Sequence, residues 1–288
     1  MFDDRLKIEI GRNVAVALAE DVGSGDLTAL LVSSRTQARA TVIAREAAVV
    51  CGMAWFDATF AALSPIATAH WHVREGDFVS PGQALCDVFA PVRVLLTAER
   101  TALNFLQLLS AVATVTRRYV DAVADTKARI VDTRKTLPGL RLAQKYAVMT
   151  GGGLNHRMGL YDGILIKENH IIAAGGVYKA VKAAQAISPP GVFIEVEVES
   201  IEELRAALKA EAGMILLDNM SVDEMSEAVR ITAGRAVLEA SGGVDFESVR
   251  AIAATGVDRI SIGSLTKDVR ALDLSMRFVD GGRKNAPS

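Results

Sequence analysis

The sequence predicts an α/β protein in two parts: an open-faced N-terminal α/β sandwich with β-hairpins over residues 1–112, and an incomplete C-terminal α/β barrel with parallel strands over 113–269. The segment 270–288 is a candidate to complete the first part. Three observations predict this. Half of the 288 residues are hydrophobic but only 5% are aromatic, the small and β-branched mixture that packs helices onto parallel strands. Past the middle of the chain, short apolar runs alternate with helical stretches, which implies right-handed strand–helix units. These units occupy fewer residues than the ~250 of a complete eight-fold barrel.

Arg12 to Glu20 is apolar-periodic and predicts a helix, and Glu20 to Thr28 is a turn-rich loop with capping residues ahead of Ala29-Leu30-Leu31. Ala38 to Val50, rich in Val and Ala, reads as strand. Val73 to Leu85 has two turn signals between short alternating runs and predicts β-hairpins. That segment also resembles the hairpin of biotinyl and lipoyl carriers. Such carriers need a lysine at the tip, and none occurs between Lys7 and Lys127, so it is read as structural. Thr97 to Tyr119 carries Ala102, Leu103, Phe105, Leu106, Leu109, Val112 and Ala113 at helical spacing, predicting a long helix near the domain boundary.

The later apolar runs are 129–132, 163–167, 193–199, 213–218, 236–240 and 259–263, with helical stretches at 200–209, 222–231 and 246–253 among them. The tail from Gly281 is polar and expected to fray. A net charge of -2 gives no footprint for nucleic acid. The two cysteines, Cys51 and Cys86, sit among apolar residues and are expected as buried thiols. Residues 1–5 lack the basic and apolar regions of a secretory signal, and the apolar run 47–56 is far short of the ~20 residues of a membrane span. The expectation is a cytoplasmic protein without a membrane partner.

Function shows in where the polar residues fall. The predicted strands run into Asp132-Thr133-Arg134-Lys135, Lys167-Glu168-Asn169-His170, Asp218-Asn219, Glu239-Ala240-Ser241-Gly242-Gly243 and Gly263-Ser264. Barrel enzymes draw their catalytic groups from the carboxyl ends of strands. Glu195, Glu197 and Glu199 share one face of the third strand by period two, and are expected in the lumen, where they need cationic partners or metal. Arg134, Lys135, Arg157 and Lys167, with His156 adjacent and Arg100 on the long helix, form a cationic set. Arginine forks suit carboxylates and lysines suit phosphates, so the site is read as built for a polyanion carrying both. Gly151-Gly152-Gly153, Ser241-Gly242-Gly243 and Gly263-Ser264 are turns whose backbone N–H groups could approach phosphate oxygens.

With those residues in place the chain resembles the quinolinate phosphoribosyltransferase family, also called carboxylating nicotinate-nucleotide pyrophosphorylases. The resemblance rests on 132–141, on Lys145-Tyr146-Ala147-Val148, on Gly151-Gly152-Gly153 with Asn155-His156-Arg157, on 167–170, 195–199, 216–219 and 239–243. The loop 20–28 and Thr97-Ala98-Glu99-Arg100-Thr101 also match, so it covers nearly the whole chain. It implies transfer of a ribose-5-phosphate unit from phosphoribosyl pyrophosphate (PRPP) to quinolinate with decarboxylation, giving nicotinate mononucleotide, pyrophosphate and CO2 in NAD synthesis. It implies Mg2+ and a homodimer at least, with Arg100 donated across the interface. By the same resemblance Arg100, Arg134, His156 and Arg157 would hold the carboxylates of quinolinate, with Thr133 beside them. Lys135 and Lys167 would sit near substrate anions and pyrophosphate. Glu197 and Asp218 would serve the ribose and Mg2+, directly or through substrate and water, and count with the two lysines as catalytic. Ser241, Gly242, Gly243, Gly263 and Ser264 would cradle the 5-phosphate. Other readings use the same residues: a paralogue of this fold with another substrate, a Schiff-base aldolase with Lys135 or Lys167 as nucleophile, or a non-enzymatic carrier.

Overall fold

The computed structural model describes residues 4–279, so the tail from Gly281 lies outside the described residues. The chain begins with α1 (Asp4–Val22) and a 3-10 turn at Thr28–Leu31. Then come β1 (Gln37–Ala44), β2 (Ala48–Val49), α2 (Met53–Leu63), β3 (Thr68–Trp71), β4 (Phe78–Val79), β5 (Ala84–Pro91) and α3 (Val92–Ala122). The second half runs β6 (Arg129–Val131), α4 (Arg141–Thr150), β7 (Gly163–Ile166), α5 (Glu168–Ala174), α6 (Val177–Ile187), β8 (Phe193–Val198) and α7 (Ile201–Lys209). It ends with β9 (Met214–Asp218), α8 (Val222–Thr232), β10 (Val237–Ser241), α9 (Val249–Ala254), β11 (Arg259–Ser261), α10 (Ser264–Lys267) and β12 (Leu274–Phe278).

The chain divides into two compact units. The first takes residues up to Val115, Pro138–Gly151 and the segment from Val269; the second takes Thr116–Leu137 and Gly152–Asp268. The first carries an antiparallel sheet in the order β12-β1-β5-β3 and the small ladder β2-β4. Its core gathers Val42, Val88, Leu85, Phe56, Phe60, Leu103 and Leu106, all essentially buried. Each such side chain contributes about 1.5–3 kcal/mol on leaving water. The 3-10 turn is capped as the residue types predict: Ala29 N–H donates to Asp26 Oδ1 at 2.9 Å, and Thr97 Oγ1 donates to Asp26 Oδ2 at 2.9 Å. Cys51 and Cys86 are free and buried here, and burial pushes both thiols up.

In space the segment from Val269 joins the first unit, as expected of 270–288, and the expected boundary at 112/113 lies a few residues from the spatial one. The division falls at Val115/Thr116, inside α3, and residues 138–151 belong to the first unit rather than to the barrel. The reason is packing: α4 buries Ala143, Gln144, Lys145, Ala147 and Val148 there, and the Tyr146 ring packs tilted against Trp55 with centroids 5.6 Å apart. Just before α4, the carbonyl of Gly139 accepts from Arg12 Nη2 at 2.9 Å and from Asn13 Nδ2 at 3.2 Å. Periodicity is a local property and does not say which core a helix joins.

The second unit is a six-stranded parallel sheet in the order β6-β11-β10-β9-β8-β7. The strands consecutive in the chain, β6 and β7, stand at its two ends and do not pair, which is the gap of an incomplete barrel. Leu154 partly fills the β6 edge: its N–H donates to Ile130 O at 2.8 Å, and Asp132 N–H donates to Leu154 O at 3.1 Å. Gly151-Gly152-Gly153 delivers it there. Gly152 holds φ +94°, and a Cβ would lie 3.6 Å from Val120 Cγ1. On β8, Val196 and Val198 are wholly buried on one face, as period two requires. Helices α7 and α8 begin at Ser200 and Ser221, whose hydroxyls accept from Glu203 N–H and Glu224 N–H.

Candidate active site

At the carboxyl ends of these strands lies a cavity of about 740 Å3. Thr133, Arg134 and Lys135 follow β6; His156 and Arg157 precede β7, and Lys167 follows it. Glu197 stands on β8, Asp218 ends β9, and Ser241 ends β10 ahead of Gly242 and Gly243. Gly263 and Ser264 follow β11. Every residue of the expected site lines this cavity except Arg100, which is exposed on α3 in the first unit.

The charges interlock. Lys167 Nζ donates to Glu197 Oε2 at 2.8 Å. Burial raises the carboxyl of Asp218, and the Glu197 charge raises it further, while Lys167, Asn219 and Lys135 oppose the shift. Two acids facing one space favour a cation or a hydrogen-bonding hydroxyl between them. Arg157 is buried, and its Nη1 donates to Gly163 O at 3.1 Å. Burial, then the charge of Arg134, weakens its hold on the proton, with Glu195 and Asp162 acting the other way. A buried guanidinium beside a second guanidinium is stabilised by an arriving anion, and its fork suits a carboxylate.

The loop after β10 admits only glycine at its first position. Gly242 has φ +97°, and a Cβ there would fall 2.1 Å from Asn219 Oδ1 and 2.9 Å from the Asn219 backbone nitrogen. Asn219 has φ +54°, and its N–H donates to Ser241 O at 3.0 Å. At Gly263 a Cβ would meet Lys135 Cδ at 2.9 Å. At both positions the missing Cβ lets the main chain reach the cavity wall, where its N–H groups could bind an oxyanion.

Other expectations are corrected. Gly151, Gly152 and Gly153 do not line the cavity; they serve the Leu154 bridge. Glu199 lies beyond the end of β8, exposed, where its N–H donates to Glu203 Oε2, so only Glu195 and Glu197 of the glutamate row enter the lumen. His170 turns back onto its own helix, accepting from Lys167 N–H at its Nδ1. Lys145 is fully buried in the first unit. His156 does line the cavity, but its Nδ1 accepts from Arg157 N–H at 2.8 Å and its Nε2 lies 2.7 Å from Glu195 Oε2. Both ring nitrogens thus have partners within the protein, while the ring stays at the cavity wall. Glu239, Leu165, Leu216, Asp245, Ser261, Lys267 and Asp268 also line the cavity and were not singled out as site residues from the sequence. Glu239 had a signal available: it precedes Ser241 by two residues on one strand, so both share a face.

The family model described as "Quinolinate phosphoribosyl transferase, N-terminal domain" matches residues 26–110, and its C-terminal counterpart matches 112–277. The chain belongs to the quinolinate phosphoribosyltransferase family. A family member from Mycobacterium leprae, named nicotinate-nucleotide pyrophosphorylase [carboxylating], is 44% identical over 270 residues, covering 90% of this chain and 94% of its own. The probable enzyme of that name from Bacillus subtilis is 42% identical, covering 89% of each. The solved nicotinate-nucleotide pyrophosphorylase of Francisella tularensis superposes with a TM-score of 0.91 at 44% identity, covering 94% of this chain and 96% of its own. The family's two-part architecture, an antiparallel sheet and an open parallel one, is the one described above.

Proposed function

We propose that this chain transfers the ribose-5-phosphate unit of PRPP to the nitrogen of quinolinate and releases CO2, forming nicotinate mononucleotide and pyrophosphate for NAD synthesis. The observation that carries the reading is the single cavity in which Arg134, Arg157, Lys135 and Lys167 face Glu197 and Asp218 beside two glycine loops. Its charges match a dicarboxylate beside a sugar pyrophosphate.

Arg134 and Arg157 hold the carboxylates of quinolinate by their forks. Lys135 and Lys167 stabilise the departing pyrophosphate. Glu197 and Asp218 face the ribose, where positive charge develops at the anomeric carbon as in glycoside cleavage. The 5-phosphate rests on the main chain of Ser241–Gly243 and Gly263–Ser264. The bond from the anomeric carbon to pyrophosphate breaks as the bond to the pyridine nitrogen forms. The ring, now cationic, stabilises the electron pair left on the carbon beside the nitrogen when the adjacent carboxylate departs as CO2 after ribosylation, and that carbon then takes a proton from water. Decarboxylated pyridine appearing before any nucleotide in a rapid-quench time course would reverse that order.

Glu197 and Asp218 supply the hard oxygen donors that Mg2+ prefers, and their mutual repulsion suits a shared cation, so these residues fit the ion directly or through substrate and water. When bound it would neutralise charge on the pyrophosphate oxygens. Arg100 would complete the site from a second copy of the chain, since it is exposed and does not line the cavity of its own barrel unit. Among the described residues no helix is long and apolar enough to cross a membrane, and a cytoplasmic location belongs to the same proposal. The Schiff-base alternative has less support at Lys167, because an ammonium paired with Glu197 at 2.8 Å is not a free amine nucleophile. The decisive experiment is a product assay with quinolinate, PRPP and Mg2+, with nicotinate replacing quinolinate as control. Nicotinate mononucleotide should form from quinolinate alone; turnover of nicotinate instead would overturn the substrate assignment.

A further inference from the structure

At the cavity wall, three groups from three elements meet with their ligand atoms all within 4.8 Å of one another: His156, Glu239 on β10 and, behind them, Glu195 on β8. The carboxylates are wholly buried, and the His156 side chain is only 7% exposed. We propose that Glu239 is a positioning residue for the transfer reaction, acting through Glu195 and His156 to set the Arg157 segment at the wall of the cavity. This rests on the reading of that cavity as the quinolinate site.

The hydrogen bonds assign the tautomer of His156. Its Nδ1 accepts from the Arg157 backbone N–H at 2.8 Å and so carries no proton. Its Nε2 therefore bears the proton and donates it to Glu195 Oε2 at 2.7 Å. The imidazole is neutral in this arrangement and cannot offset two buried carboxylates. Glu195 Oε1 and both oxygens of Glu239 are buried with no hydrogen-bond partner, and Glu239 Oε1 lies 3.7 Å from His156 Nε2. Two ionised carboxylates this close, both buried and with only one of their four oxygens hydrogen-bonded, would be strongly disfavoured, so one of them is neutral. The proton belongs on Glu239, whose oxygens have no donor, whereas Glu195 Oε2 accepts from His156; burial first, then the charge of Glu195, pushes the Glu239 carboxyl up to about 7.

A neutral Glu239 leaves Glu195 as the acceptor that orients the ring. The ring then holds the Arg157 N–H, and the preceding N–H, that of His156, donates to Asp132 Oδ1 at 2.9 Å. The main chain at 156–157 is pinned from both sides, with the Arg157 guanidinium anchored on Gly163 O. Removing Glu239 opens space beside Glu195, lets the imidazole turn or gain a second proton, and frees the segment that carries Arg157.

Two measurements test this. Nitrogen-15 NMR of ring-labelled histidine, on the full chain without substrate, should show His156 as the neutral Nε2–H tautomer in the wild type and in Glu239→Gln. The His156 signal should shift to another tautomer or to the imidazolium in Glu239→Ala; a His156→Asn variant supplies the assignment. In kinetics, Glu239→Ala should raise the quinolinate KM by roughly 10–100-fold, the range for losing a group that orients a ligand from behind. The PRPP KM should move much less. Glu239→Gln, a neutral isostere of the protonated acid, should recover most of the loss. An imidazolium signal in the wild type, a Gln variant as impaired as the Ala variant, or equal KM changes for both substrates would overturn the proposal. So would a stoichiometric transition metal lost on Glu239→Gln, because the three groups would then be ligands. Should Glu239→Ala fail to fold, the spectra of the wild type and Glu239→Gln still decide. Wild-type protein with the expected spectrum but no turnover of quinolinate would sink the substrate reading and leave this assignment standing.

Discussion

Replacing Gly242 with alanine probes the loop that closes the cavity after β10. The backbone there sits at φ +97°, which for a residue with a Cβ costs roughly 1–3 kcal/mol. The added carbon would also fall 2.1 Å from Asn219 Oδ1 and 2.9 Å from the Asn219 nitrogen. The side chain can swing away, but only by giving up its 2.8 Å hydrogen bond to Asp218, worth about 1 kcal/mol net. The nitrogen is held by its bond to Ser241 O and cannot withdraw without moving the loop. Together these give a loss of roughly 2–4 kcal/mol, or a fall in Tm on the order of 5–10 °C. Calorimetry should register that fall and a smaller Tm gain on adding PRPP. Gly243→Ala is the comparison: its φ is +58° and nothing lies within 4 Å of the new methyl, so about 1–2 kcal/mol is expected. A Gly242→Ala protein with an unchanged Tm and an unchanged PRPP response would refute both the steric reasoning and the loop's assignment.

Three more outcomes are expected. If the buried Arg157 fork holds the carboxylates as proposed, Arg157→Ala should raise the quinolinate KM far more than the PRPP KM in steady-state assays; equal effects would argue against that role. Glu239 is neutral when folded up to about pH 7 but ionises near pH 4.5 when unfolded, so the native state binds more protons in between and stability falls as pH rises through that window. Urea titrations across pH should find that fall missing in Glu239→Gln. In the first unit, Arg39 above all, with Thr41 and His72, holds the Asp87 carboxyl well below the usual range. That stabilisation is complete above the unfolded value of about 3.9 and is lost as pH falls further, so the Tm gap between wild type and Asp87→Asn should close in acid.

Much of this was legible in the sequence because it depends on short-range regularity. Alternation placed Val196 and Val198 on one face of β8 and Glu195 and Glu197 on the other, and the chain alternates just so. The rule that barrel sites form at strand ends gathered Lys135, Lys167, Asp218, Ser241 and Gly263 before any coordinates, and they line one cavity. Three things were not legible. The helix α4, with Lys145 and Tyr146, joins the first unit although it lies between barrel strands in the chain. The glycines at 151–153 steer Leu154 to the edge of β6 rather than meeting a phosphate.

Most telling is His156. Its residue type and motif pointed to the cavity, which it lines, but not to its partners: Arg157 N–H, a glutamate 39 residues away and a second buried acid on β10. The sequence by itself determined which residues alternate, which strands end in charge and which turns demand glycine, since neighbours along the chain decide those. Only the tertiary structure decided which core each helix joined and which acid carries a proton. Burial and the field of distant charges set those outcomes, and neither exists until the strands are side by side.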